Sequence, residues 1–364
     1  MRYMRGNIRL SILMLTGVIV SCTTIREPYA PPPEGARSVA VFYARWIAYL
    51  DRANPASLQE DCRPRLVEPV GPVPYRGTVV LVHGFTACPQ QLFELSELLA
   101  LQGFRSMLVL LPGHGRQFDG ADGDNLMGLP SGRNWQRKFA ALAADINGIM
   151  EYAEGDRVIG GLSAGATASL YINMQAPQLY DRHIVFAPFF AAAVDRLTEL
   201  PAAVTSQTPV SSSTNVSPFG TKPACLEKRK QGRAGYCDYQ DKHLEALSEM
   251  GRYSLDALRE TPLTVPLQLV GVENDTVVSN IEIGEFLRSQ DDIGQTSACF
   301  LPEGVPHDMI SQYDFPAVEM FWLDSLLNGS IGFITVARRL PAIGKESVSE
   351  APYPVCAMET ERRD

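Results

Sequence analysis

The chain is 364 residues long, 45% hydrophobic and 20% charged, with a formal net charge of −9. A chain of this length buries a large core and suits one big α/β domain or two smaller ones, and its composition is that of neither a disordered nor a membrane-spanning protein. The acidic balance argues against nucleic acid as a partner.

The first 21 residues read as an address rather than as part of a fold. Arg2, Arg5 and Arg9 form a basic head, and Leu10 to Val20 form an apolar run too short to span a bilayer comfortably. The run ends in Ile19-Val20-Ser21-Cys22, which resembles the lipobox of bacterial lipoproteins. That resemblance implies lipidation of Cys22 and attachment to a membrane of the bacterial cell envelope. Thr23, where an aspartate would signal retention, points by the same resemblance to the outer membrane. An ordinary secretory signal with a chance cysteine is the alternative. Ile25 to Arg37, with Pro28 and Pro31-Pro32-Pro33, reads as a semi-rigid tether. The expected division is a signal over 1–21, a tether over 22–37 and a folded domain over 38–364.

Ser38 to Ala53 has helical spacing. Glu60 to Tyr75 is proline-rich and leads into Thr78-Val79-Val80-Leu81-Val82, a continuous apolar run that suits a strand buried on both faces of a parallel sheet. It stops at His83-Gly84-Phe85-Thr86, and Pro89 opens an amphipathic helix to about Leu101. Met107 to Leu111 is the next expected strand, ending in Pro112-Gly113-His114-Gly115. Asp119 to Asn125 is rich in carboxylates, but its spacing does not fit an EF-hand, so a polar solvated loop is expected and no metal. Trp135 to Tyr152 reads as a helix and Arg157 to Gly160 as a strand. That strand runs into Gly161-Leu162-Ser163-Ala164-Gly165, and a small-residue helical segment follows from Ala166 to Gln175. A serine at the apex of a strand–turn–helix needs small neighbours, because strand and helix must close together beneath it. His183 to Pro188 is another strand. The segment from Phe189 to about Thr261 then interrupts the pattern with a Ser/Thr/Pro-rich stretch (Thr205 to Pro223), a basic loop between Cys225 and Cys237, and a helix from Asp241 to Leu258. Thr264 to Val270 and Thr296 to Leu301 are the last expected strands, Phe315 to Leu327 a closing helix, and Ile331 to Asp364 a tail of no assigned role. Strands alternating with helices make an open, mostly parallel sheet with helices on both faces, and active sites on such sheets lie at the carboxyl ends of strands.

The chain has seven cysteines. Lipidation of Cys22 leaves Cys62, Cys88, Cys225, Cys237, Cys299 and Cys356, an even set that suggests disulfides in an oxidising compartment. Cys225 with Cys237 is the first pair expected. Cys299 with Cys356 would tie the tail to the body, and Cys62 with Cys88 remains; free buried thiols are the alternative for these two pairs. No cysteine or histidine spacing suggests zinc.

Together, His83-Gly84-Phe85, Pro112-Gly113-His114-Gly115 and Gly161-Leu162-Ser163-Ala164-Gly165 resemble the α/β-hydrolase superfamily, in particular its carboxylesterase and monoacylglycerol-lipase branch. The resemblance covers about residues 77 to 327, and one departure is Ala166, where that branch often has glycine. It implies an α/β-hydrolase fold with a cap inserted over the site at about 189–261. It also implies the chain order serine, acid, histidine. Asp275 matches the acid in its Gly…Asp-x-Val-Val context, with Glu273 as the local competitor. His307 is the sole histidine beyond Asp275, out of five in the chain. Ser163, Asp275 and His307 are therefore the expected nucleophile, orienting acid and base. The family pattern assigns the oxyanion donors to the backbone N–H groups of Phe85 and Ala164. His83 and His114 are expected to fix loop geometry, and His183 and His243 to be ordinary. The expected activity is hydrolysis of carboxylic esters, with short- to medium-chain or monoacylglycerol-like acyl groups, through an acyl-enzyme and without a cofactor. A peptidase or acyltransferase on the same scaffold, or a non-catalytic envelope binding protein, are the alternatives.

Overall fold

The computed structural model describes residues 39–116, 132, 134–193, 222–237, 239, 241–290, 295–314, 320–343 and 354–357. The expected signal, the expected tether, the Asp119–Asn125 segment and most of the Ser/Thr/Pro-rich stretch lie outside the described residues. The six central strands are β2 (Gly77–Val82), β3 (Phe104–Val109), β4 (Asp156–Leu162), β5 (Arg182–Phe186), β6 (Leu267–Val272) and β7 (Thr296–Leu301). They run parallel in the order β3-β2-β4-β5-β6-β7. Every residue of β2, β3 and β6 is buried. This is why the sequence of β2 is a near-continuous apolar run rather than an alternation.

The helices in order are α1 (Val39–Ala53), α2 (Phe93–Leu101), α3 (Asn134–Met150), α4 (Ala164–Gln175), α5 (Lys222–Lys230), α6 (Asp241–Glu260), α7 (Asn280–Gln290) and α8 (Leu323–Val336). The path steps one way from β2 to β3 and the other way from β3 through β7. Right-handed crossovers therefore place α2 on one face of the sheet and α3, α4 and α7 on the other. The contacts agree, because α3 touches α1, α4 and α6, whereas α2 touches α8.

Four details differ from the expected elements. Strand β3 begins three residues early, at Phe104, and takes two polar residues into the sheet. Arg105 there lies over the rings of Phe42, Tyr43 and Tyr75 and pairs with Glu68 at 3.0 Å, so its charge is satisfied where it is buried. The proline-rich lead contains a short antiparallel edge strand, β1 (Arg65–Val67), on β3. The basic stretch after Lys222 is helical, as α5, where a loop was expected. The closing helix, described over Leu323–Val336, runs past the expected end at Leu327, while the expected start at Phe315 lies outside the described residues. Gly329 and Gly332 inside it look like breakers in the sequence, yet each makes room for a neighbour. A Cβ on Gly329 would meet Leu340 at 2.7 Å, and one on Gly332 would meet Arg338 at 2.9 Å. The tail is part of the sheet: β8 (Ala342–Ile343) and β9 (Val355–Cys356) extend it beyond β7.

Disulfides join Cys62 to Cys88, Cys225 to Cys237 and Cys299 to Cys356. The last ties β9 to β7, as the pairing of tail to body requires.

Candidate active site

Ser163 ends β4 and caps α4 with φ 57° and ψ −120°. That conformation costs about 1–3 kcal/mol for a residue with a side chain, so the surroundings must enforce it. Three backbone bonds do so: the Ser163 N–H donates to Phe186 O (2.8 Å), and Ser163 O accepts from the N–H groups of Thr167 (3.1 Å) and Phe189 (3.2 Å). The flanking glycines leave no alternative. A Cβ on Gly161 would fall 2.5 Å from the Gly165 backbone, and one on Gly165 would fall 2.2 Å from Val82 O. Ala166, the departure from the family pattern, is fully buried in α4 without disturbing it.

Asp275 follows β6 and His307 follows β7, so both lie at the carboxyl edge where Ser163 ends β4. Asp275 Oδ2 and His307 Nδ1 are 2.7 Å apart. The other oxygen, Oδ1, accepts from the N–H groups of Val277 (2.7 Å) and Val278 (3.1 Å). Burial pushes the Asp275 carboxyl up, but the neighbouring His307 and these hydrogen bonds outweigh it and hold it below its ordinary value. A carboxylate fixed in this way selects the His307 tautomer with its proton on Nδ1, leaving Nε2 as the basic nitrogen. The sequence left Glu273 open as the acid; the structure joins His307 to Asp275.

Phe85 sits in the turn after β2, and Ala164 is the first residue of α4. The turn lies against the serine, since a Cβ on Gly84 would come within 3.6 Å of Ser163 Cβ. His83 fixes this turn to the segment after β3: Leu111 N–H donates to His83 Nε2 (3.0 Å), which leaves Nδ1 to donate to Gly84 O (2.8 Å). Burial keeps His83 neutral, with its pKa well below the ordinary value, and drives His114 down to about 4. His183 is buried between Ser169 and Asn173, with its pKa driven by burial to about 3.

Beside Ala164 lies a small apolar pocket, lined by Phe85, His114, Trp135, Phe139, His243 and Leu247 among others. His243 and Leu247 come from α6, so this helix of the inserted segment forms one wall. His243 read as an ordinary histidine in the sequence. Its place at the pocket follows from how α6 docks, and no local motif signals that docking. Tyr236, from the same segment, clamps the turn after β2. Tyr236 N–H donates to Thr86 O (2.7 Å), and Tyr236 Oη donates to Gly113 O (2.9 Å).

Residues 73–310 match the family model described as Hydrolase_4, serine aminopeptidase S33. The chain belongs to the Hydrolase_4 family. Solved structures agree on the fold. A metagenome-derived lipolytic enzyme is 18% identical, with a TM-score of 0.55 over 76% of this chain and 98% of that one. The monoacylglycerol lipase of Paleococcus ferrophilus is 14% identical, with a TM-score of 0.53 over 75% of this chain and 99% of that one. A soluble variant of the monoglyceride lipase of Saccharomyces cerevisiae, in complex with a substrate analog, is also 14% identical. Its TM-score is 0.56 over 76% of this chain and 92% of that one. No curated protein sequence matches the chain. This Hydrolase_4 member therefore has the α/β-hydrolase fold of lipases and esterases and is a hydrolase.

Proposed function

We propose that the protein is a serine hydrolase that cleaves carboxylic esters through an acyl-enzyme. The observation that carries this reading is the Asp275–His307 pair, 2.7 Å apart, on the sheet edge that presents Ser163 from its strained elbow. In this mechanism His307 Nε2 takes the proton from Ser163 Oγ as that oxygen attacks the ester carbonyl. The charge on the carbonyl oxygen is met by the N–H groups of Phe85 and Ala164, the latter at the N-terminus of α4. His307 returns the proton to the leaving alcohol, and water, deprotonated by the same nitrogen, releases the acid and frees Ser163.

The pocket favours esters over peptides. Its lining is apolar and adjoins Ala164, which suits an alkyl or aryl acyl group. An aminopeptidase reading, suggested by the family's description, needs a carboxylate open to a substrate amine. The acidic groups beside His307, Asp308 and Asp314, are buried and already engaged, Asp314 with Arg233 at 2.6 Å. Short- to medium-chain p-nitrophenyl or glycerol esters are thus the expected substrates, and Ser163→Ala should abolish both turnover and labelling by a fluorophosphonate. Cleavage of aminoacyl anilides with kcat/KM equal to that of the best ester would favour the peptidase instead.

We further propose that Cys22 is lipidated and holds the protein at the bacterial envelope, at the outer membrane by the residue that follows it. Three paired disulfides support an oxidising compartment. Metabolic labelling with a clickable fatty acid should mark the wild type and not Cys22→Ala; equal labelling would refute the anchor.

A further inference from the structure

The residue following His307 belongs to a buried polar cluster that the triad does not use. Gln91, Arg233, Asp308 and Asp314 are each at most 4% exposed. Gln91 Oε1 accepts from the backbone N–H of Gly84 (2.7 Å). Gln91 Nε2 donates to Asp308 Oδ1 and to Asp314 Oδ2, both at 3.1 Å. Arg233 Nε donates to Asp314 Oδ1 at 2.6 Å, and Arg233 Nη1 donates to Tyr236 O at 3.3 Å. One side-chain amide thus joins the residue before Phe85 to the residue after His307. Arg233, from the segment closed by Cys225–Cys237, completes the cluster from outside the sheet.

A buried amide so engaged is costly unless every partner is in place, and once they are it fixes them with respect to one another. We propose that Gln91 is a positioning residue of this site, holding the oxyanion turn of Phe85 in register with the loop that carries His307. The inference rests on the assignment of Ser163, His307 and Phe85 made above. Small displacements at such a site are expensive: misplacement by about 1 Å can cost about 100-fold in rate.

Charge makes the arrangement testable. Asp308 faces Asp314, His307, Arg233 and Lys228, and burial followed by the Asp314 charge pushes its carboxyl up to about 7. The cluster holds two carboxyl groups, and in the wild type the neutral amide of Gln91 donates to both. In a Gln91→Glu variant the new carboxyl still accepts from Gly84, but it can serve Asp308 and Asp314 only while protonated. Activity of that variant relative to the wild type should therefore fall as pH rises through neutrality. Gln91→Leu should lose about 10- to 100-fold in kcat with KM within about twofold. Gln90→Leu serves as the control. Gln90 binds the same segment, through Gly232 O and Ala234 N, but has no hydrogen bond to Gly84 or Asp308, so its kcat should stay within about twofold.

The experiment measures kcat, KM and their pH dependence on the best p-nitrophenyl ester for the three variants, with folding followed by Tm. A folded Gln91→Leu with wild-type kcat, or equal losses in Gln91→Leu and Gln90→Leu, would overturn the proposal. So would a Gln91→Glu profile of wild-type shape, which also decides the matter if Gln91→Leu fails to fold. Fluorophosphonate labelling of wild type and Ser163→Ala keeps the two readings apart. Equal labelling would sink the triad, whereas normal labelling with unaffected Gln91 variants would sink this inference alone.

Discussion

Asp275 accepts three hydrogen bonds, two from the backbone of the following turn and one from His307, and its side chain is wholly buried. Its role in the proposed reaction is to fix which nitrogen of His307 carries the proton. Asp275→Asn can retain the backbone bonds while presenting an amide to His307 Nδ1, which favours the wrong tautomer. On the precedent of serine proteases that change should lower kcat by about 10⁴. Glu273 is only half buried, and His307 turns to Asp275, so Glu273→Gln should change kcat by less than about threefold if orientation of the histidine is what matters. Steady-state kinetics on one ester checks both, and a reversed ranking would mean that the carboxylate has been misassigned. The sequence identified these residues because each is tied to a strand end by a short local pattern. It did not reveal Gln91, Asp308, Asp314 or Arg233. The hydrogen bonds that join them span 81 to 223 residues, and no local pattern records such a meeting.

The elements most legible in the sequence are those whose environment is set by their own composition. Strands β2 and β4 are fully or nearly fully covered, and their apolar runs say so directly. Elements whose stability comes from a partner were harder to read. Strand β1 has three residues and exists by pairing with β3; β8 and β9 have two each and exist by pairing with each other and with β7. The end of α8 was hidden by Gly329 and Gly332, which suit close approach by Leu340 and Arg338 rather than termination. Helix α5 carries Lys228, Arg229 and Lys230 in its last turn, where cations favour a helix, but its place depends on the disulfide and on Arg233 reaching Asp314. The same dependence links element to function. The insertion supplies a wall of the apolar pocket through α6 and clamps the turn of Phe85 through Tyr236.

At the scale of the whole molecule, the buried titratable groups pull stability in opposite directions with pH, and their magnitudes decide the outcome. His183 and His114 are buried neutral, with pKa values lowered by burial from 6.5 to about 3 and about 4, and His83 is lowered in the same direction. Unfolding lets them bind protons that the native state refuses, so their contribution is complete above about 6.5 and is lost as pH falls toward 4. The Asp275 carboxyl, held below its ordinary 3.8, adds a further loss only below that value. Asp308 acts the other way. Its carboxyl is raised from 3.8 to about 7, so the native state holds a proton that the unfolded chain releases, and stability from this group grows as pH falls from about 7 to about 4. The two histidines with stated values together move further than Asp308 does, and His83 adds to them. Tm should therefore fall between pH 6.5 and 4, and Asp308→Asn, which removes the opposing contribution, should make the fall steeper. Differential scanning calorimetry of both proteins across this range tests the argument. A Tm that rises on acidification would show that the histidines are not held neutral, and a shallower fall in Asp308→Asn would show that this carboxyl is ionised in the native state.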